Sequence, residues 1–165
     1  MFEYPQPGFH FSVVFELPQF PSDIRFQEVS GLSVSTEFEA LPEGGENRFT
    51  HQLPVRLNYG DITLKRGTPL GSGVSYWARK ALEDFEFQPA NVMISLLNDK
   101  HIPLYNWYVV NAIPKRLEIS GFNAMRSEIV IETLVLTYNY FTYADPISLA
   151  LDAAAALGGS ISASI

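Results

Sequence analysis

The sequence predicts a mainly β, antiparallel domain flanked by one amphipathic helix. Apolar and polar residues alternate along most of the chain, as in Phe9, Phe11, Val13, Phe15 and Leu17 against His10, Ser12 and Glu16. That is the period-two pattern of strands with one inward face. One stretch before the C-terminal region switches to helical spacing: Val74, Trp77, Ala78, Ala81, Leu82 and Phe85. Such a single apolar stripe lies on a sheet.

The first strand stops at Pro18, and Pro18 to Ser22 is a loop. Ile24–Val29 and Leu32–Phe38 read as two further runs with a bend at Gly31, because glycine takes positive φ cheaply. In the second run Leu32, Val34, Thr36 and Phe38 form the face expected to be buried, and Ser33, Ser35, Glu37 and Glu39 the solvated one. A long inter-strand loop is expected around 39–59, with turn formers and charges from Pro42 to Arg48 at its tip. Phe49–Leu53 and Asp61–Arg66 read as extended, and Gly67–Gly73 as flexible. The helix starts near Ser72 or Ser75 and ends before Pro89. Val92–Leu97 and Leu104–Ala112 form a hairpin about Asn98-Asp99-Lys100. Leu117–Ser120 pairs with Glu128–Phe141 around Gly121-Phe122-Asn123. The latter, at about 14 residues, is the longest strand expected, and part of it is expected to pack outside its own subunit. Asp145 is an N-cap and Pro146 suits the first helical position, so a short helix follows over Ile147–Leu157. The reading divides the chain into a domain over 1–143 and a C-terminal extension over 144–165.

Composition removes several function classes. The 165 residues suit one domain, and with no cysteine there are no disulfides or thiolate metal sites. His10, His51 and His101 lack metal-ligand spacing. A net charge of −7 argues against nucleic-acid binding. Met1-Phe2-Glu3-Tyr4-Pro5 lacks the basic and apolar regions of a secretory signal, and no apolar run is long enough to span a bilayer. Glu37 and Glu39 share a strand face but sit among serines, so they read as a solvated surface rather than a catalytic pair. No serine lies on a strand–turn–helix elbow, and Pro42-Glu43-Gly44-Gly45 lacks the lysine and hydroxyl of a phosphate cradle. No catalytic, cofactor or metal residues are therefore assigned. Charged residues are only 18% of the chain, while 12 Phe, 8 Tyr and 2 Trp are present. That bias suits a protein whose function is to grip other proteins, and closing subunits into a ring would satisfy its free strand edges.

Taken together, several segments resemble the tail-tube protein family of contractile phage tails, and in particular the inner-tube proteins of extracellular contractile injection systems. They are Arg25–Leu32, Glu43–Phe49 with His51–Pro54, Leu64–Gly67, the Trp77 helix, Val92–Asn98, Trp107 with Val109–Ala112 and Pro114-Lys115, Phe122–Ala124, and Ile129–Tyr140. The resemblance runs over roughly Pro7 to Phe141. It implies a six-stranded antiparallel sandwich or barrel with one flanking helix, six copies to a ring, four strands from each in an inner barrel of 24, and rings stacked as a tube within a contractile sheath. Glu43, Gly44, Gly45, Glu46, Asn47, Arg48 and Phe49 would then be the ring-to-ring stacking loop, with Glu43, Glu46 and Arg48 facing charges on the next ring. Ser33, Ser35, Glu37 and Glu39 would line the lumen. The tail after Tyr143 departs from the family's pattern, and on its own short helix Ile147, Leu151 and Leu157 are expected to dock on a partner subunit. The partners implied are further copies of the chain, sheath, baseplate and cap proteins, and cargo in the lumen, with no cofactor, no membrane and no specific nucleic acid. Assembly would begin in the cytoplasm and end in a phage-tail-like particle. Alternative readings are a baseplate-proximal initiator ring, the ring-forming tube and chaperone protein of type VI secretion and, outside the family, a β-sandwich ligand-binding module.

Overall fold

A computed structural model describes residues 10–18 and 26–158. Its strands are β1 (Phe11–Glu16), β2 (Glu28–Ser30), β3 (Val34–Leu41), β4 (His51–Tyr59), β5 (Ile62–Gly67), β6 (Ala90–Leu97), β7 (Pro103–Ile119), β8 (Ile131–Thr137) and β9 (Tyr140–Ala144). Helix α1 covers Gly73–Glu83 and α2 covers Pro146–Gly158. The main sheet is antiparallel in the order β1-β6-β7-β8-β5-β2, with β9 also pairing β7, while β3 and β4 form a separate two-stranded sheet. The architecture is mainly β and antiparallel, as expected, with more strands than six.

Strand β7 joins the two halves of the sheet. Its first part pairs β6 and β9, and Ile113–Ile119 pairs β8. Near the change of partner the β6 ladder skips from Val92↔Val109 to Ala90↔Ala112. Asn111 takes the left-handed conformation there, at φ 54°, and its backbone N–H donates to Asn91 Oδ1 at 3.2 Å. A bulge of this kind bends a strand and re-aims it. Pro114 stands at a second irregularity, where its missing N–H costs the ladder little. Both halves consequently face one core. Val13 and Phe15 of β1, Val92 and Ile94 of β6, Val109 of β7, Ile62 and Leu64 of β5, and Leu134 and Leu136 of β8 all belong to it.

Helix α1 closes that core with Val74, Trp77, Ala78 and Ala81. Ser72 caps it by accepting from Ser75 N–H, and the Trp77 indole donates to Gln88 O at 2.7 Å. The expected stripe is shortened at its end. Leu82 and Phe85 are exposed, and Phe85 lies past the helix at φ 58°, edge-on to Phe87.

Further expectations are corrected. Leu104–Ala112 and Leu117–Ser120 belong to one strand, β7, which at 17 residues is the longest. The run expected as the longest divides at Tyr138-Asn139 into β8 and β9, as the chain follows the bend of β7. The supposed long loop over 39–59 is mostly the hairpin β3–β4, leaving only 42–50 as its tip. The face of Val34, Thr36 and Phe38 is not buried: every residue of β3 is exposed, because the hairpin stands clear of the core. The expected strand over Ile24–Val29 is three residues at 28–30, and Phe9, Ile24 and Arg25 lie outside the described residues. Strand β9 also carries the body one residue past the expected boundary at 143.

Candidate assembly interface

Two glycines seat the β3–β4 hairpin on the body. Gly31, between β2 and β3, has φ +91°, and a Cβ built there would lie 2.0 Å from Asp61 O. No side chain fits that approach. Gly60, at the end of β4, donates its N–H to Ser33 O at 3.1 Å, and a Cβ there would meet Ser33 Oγ at 2.2 Å. Lys115, in the second irregularity of β7, pairs with Asp61 at 2.6 Å and ties the seat to the main sheet. Tyr59 packs its ring near those of Tyr138 and Phe141.

Beyond this base the arms run free. Residues directly opposite in an antiparallel pair share a face. The register therefore places Val34, Tyr59, Thr36, Leu57, Phe38 and Pro54 on one face of the hairpin. Ser35, Asn58, Glu37, Arg56, Glu39 and Leu53 lie on the other, with Val55 left over in a bulge opposite Glu37 and Phe38. The first face is apolar yet open to solvent, with Phe38 56% exposed. The second is crossed by the Glu37–Arg56 ion pair at 3.1 Å. A two-stranded hairpin has little stability of its own in water, and one with an uncovered apolar face calls for a partner surface.

The expected stacking residues lie at or beside the tip of this hairpin. Two of their charges, Glu46 and Arg48, are already paired with each other within the chain. Arg48 donates from Nε and Nη2 to Glu46, both at 3.0 Å, and its backbone N–H also donates to Glu46 Oε1. These bonds hold the Glu46 carboxyl below its usual range and push the Arg48 guanidinium up. Glu43 lies 3.5 Å from His51. Gly44 and Gly45 face open space, Gly45 at φ +98°, and Phe49 is exposed, edge-on to His51. Of the residues expected on the lumen face, Ser35, Glu37 and Glu39 share one side of β3, whereas Ser33 precedes the strand and turns back toward Gly31 O.

Helix α2 has the expected cap, with Ser148 N–H donating to Asp145 Oδ1 at 2.8 Å. Residues 149–156 are all exposed, Leu151 among them. Ile147 and Leu157 lie within the helix, but their side chains fall outside the described residues.

The sequence reading missed two features. One is a second apolar surface at the β7–β8 connection, where Phe122, Met125 and Ile129 stand exposed. The other is the buried pair Arg66–Glu132, 2.8 Å apart and bonded further to Ser72 and Ser75. Its signal was phase: Arg66 continues the inward alternation of Ile62 and Leu64, and Glu132 that of Leu134 and Leu136. Among the described residues no group of His, Asp and Glu could hold a metal, and no helix is long and apolar enough to cross a membrane.

Residues 7–142 match the family described as T4-like virus tail tube protein gp19; α2 follows the matched span. A chain in the cryo-EM structure of the anti-feeding prophage baseplate is 32% identical, with TM-score 0.81 over 87% of this chain and 98% of its own. A chain in the sheath–tube complex of the extracellular contractile injection system PVC, in its extended state, is 26% identical, with TM-score 0.72 over 87% and 93%. Hcp1 from Flavobacterium johnsoniae, at 12% identity and TM-score 0.50 over 83% and 96%, shares the fold alone. No curated protein matches the chain.

Proposed function

Because this chain belongs to the T4-like virus tail tube protein gp19 family, we propose that it is a structural subunit of the inner tube of a contractile injection system or phage tail. Six copies close into a ring, and rings stack into a hollow tube that conducts cargo and is driven forward by a contracting sheath. The observation that carries this reading is the β3–β4 hairpin, an ordered arm whose apolar face has no cover within its own chain. The tube is passive: it transmits thrust and catalyses nothing. Resisting that thrust calls for obligate-type interfaces, on the order of 2,000 Å² or more. The particle would assemble in the cytoplasm with sheath, baseplate and cap proteins as its further partners. The Ser35, Glu37 and Glu39 side of β3 faces the lumen in this reading. A bulky thiol reagent should then react poorly with Ser35→Cys in assembled, sheathless tubes, and free reaction would place that face outside.

A second reading is a baseplate-proximal ring that initiates the tube. Two observations favour it: the likeness to a chain of the anti-feeding prophage baseplate, and helix α2, which follows the family-matched span. In that role Ile147, Leu151 and Leu157 dock on the neighbouring baseplate component. Native mass spectrometry and negative-stain images of the purified chain test both readings. Rings of six copies are expected, and a strictly monomeric species at micromolar concentration would overturn them. Copy number per particle separates the two, since a tube subunit repeats along the whole length and an initiator occupies one end.

A further inference from the structure

The hairpin and the second apolar surface lie at opposite ends of the same ladder. Strand β5 pairs β8 from Ile62↔Leu136 to Gly67↔Ile131. The hairpin is seated at the first end, through Gly60 and Asp61. At the other end the 120–130 connection opens from Ile119↔Glu132. Its base is closed by Ser120 N–H to Ile131 O and by Ile131 N–H to Ser120 Oγ, both 2.9 Å. Thr68 N–H donates to Val130 O at 2.9 Å, so the segment carrying Leu70 lies alongside. Four large apolar side chains are thereby presented at this end: Leu70, fully exposed, Phe122 at 83%, Met125 at 94% and Ile129 at 71%.

We propose that this patch is the socket that receives the hairpin of a second copy of the chain, with the apolar face of Val34, Phe38 and Leu57 as its occupant. The inference rests on the tube reading and names the partner surface of its stacking element. Two different patches at opposite ends of one subunit suit a heterologous contact, in which the hairpin of one copy meets the socket of the next. They meet head to tail, and a head-to-tail contact that does not close propagates along an axis. The sizes match: the four large and mostly exposed side chains give the socket an apolar surface on the order of 500 Å², near the upper size for a monomer. The hairpin face and tip offer a comparable area from side chains about half exposed. One such contact totals about 1,000 Å², the low end for a specific interface. Repetition around a ring makes the contact strong by multivalency, so rings stack where isolated subunits do not pair.

The test uses two full-length variants, a hairpin variant (Phe38→Asp, Leu57→Asp) and a socket variant (Phe122→Asp, Met125→Asp). Native mass should show rings for both, and stacks longer than one ring should fall at least tenfold in each alone. Mixed in equal amounts, the rings should form two-ring stacks and nothing longer, since one intact hairpin face meets one intact socket. Absence of rings from the unmodified chain would overturn the tube reading and the socket with it. Rings with normal stacking by the socket variant, or no two-ring stacks in the mixture, would overturn the socket alone. If an aspartate variant fails to form rings, cysteines at Phe38 and Met125 in the otherwise cysteine-free chain supply the second measurement. Oxidation should give a ladder of linked subunits with both cysteines and at most dimers with either one, and failure to form the ladder would count against the socket.

Discussion

Arg66 and Glu132 face each other directly across the β5–β8 ladder, side chain to side chain at 2.8 Å, and are only 3% and 6% exposed. Arg66 also reaches Ser72 and Ser75 at the start of α1 and lies over the Phe26 ring at 4.8 Å. The pair fastens the helix N-terminus to the sheet. Removing one member leaves a buried charge without its counterion, so Glu132→Ala should cost about 3–5 kcal/mol in urea denaturation. The double variant Arg66→Leu, Glu132→Leu should recover most of that loss, because replacing both charges by apolar groups removes their desolvation cost. Equal destabilisation of the single and double variants would show that the loss does not arise from an orphaned charge.

Gly31 and Gly60 both seat the hairpin, but they should respond differently to a methyl group. At Gly31 the left-handed φ and the fixed carbonyl of Asp61 both oppose a side chain, and Gly31→Ala should cost about 2–4 kcal/mol. At Gly60 the nearest obstacle is the hydroxyl end of Ser33, which can rotate away, with Gly31 O next at 3.3 Å, so Gly60→Ala should cost about 1 kcal/mol, less than Gly31→Ala. Thermal unfolding of the two variants side by side decides the order.

The Glu46–Arg48 bonds give the hairpin tip a defined response to acid. Because the folded pKa of Glu46 is depressed, the pairing is present above the ordinary carboxylate pKa and is lost as pH falls through the lower folded value. Carboxyl carbon NMR should place the Glu46 midpoint below the ordinary carboxylate range, and Arg48→Gln should return it to that range. Arg48→Glu sets like charges together at the tip and should shorten tubes while leaving rings intact; unchanged tube lengths in micrographs would show the tip to be a bystander.

Truncation after Ala144 removes α2 and leaves every ladder of the body in place. Residues 149–156 are all exposed, so the melting temperature should change by less than about 2 °C, the shift expected for well under 1 kcal/mol. Rings should still form, and attachment to the docking partner should weaken. A large drop in melting temperature would mean that α2 is part of the folded body.

Local signals made much of this fold legible. The alternation of β1, the stripe and Ser72 cap of α1, the turn between β6 and β7, and the Asp145 cap all depend on neighbours a few residues away. The continuity of β7 was hidden because Asn111, Pro114 and Lys115 interrupt the alternation where the strand bulges. The openness of Val34 and Phe38 was hidden for another reason: alternation says that a face will be covered, not whether by the same chain. The tip was legible as an excursion of glycines and charges, but its internal pairing depends on side-chain geometry that spacing alone does not report.

The course of β7 also bears on how the chain finds its structure. Strands β6, β7, β8 and β9 form a meander in which each pairs with a strand next to or near it in sequence, whereas β1 pairs with β6 across a gap of more than 70 residues. Closing the shorter loops costs less entropy, so residues 90–144 are expected to pair early and β1, like β5, to join late. In stopped-flow measurements Val109→Ala should therefore slow refolding, while Val13→Ala should chiefly hasten unfolding. Until β1 arrives the edge of β6 stays open, so the unfinished subunit would be most exposed to wrong pairing in that interval.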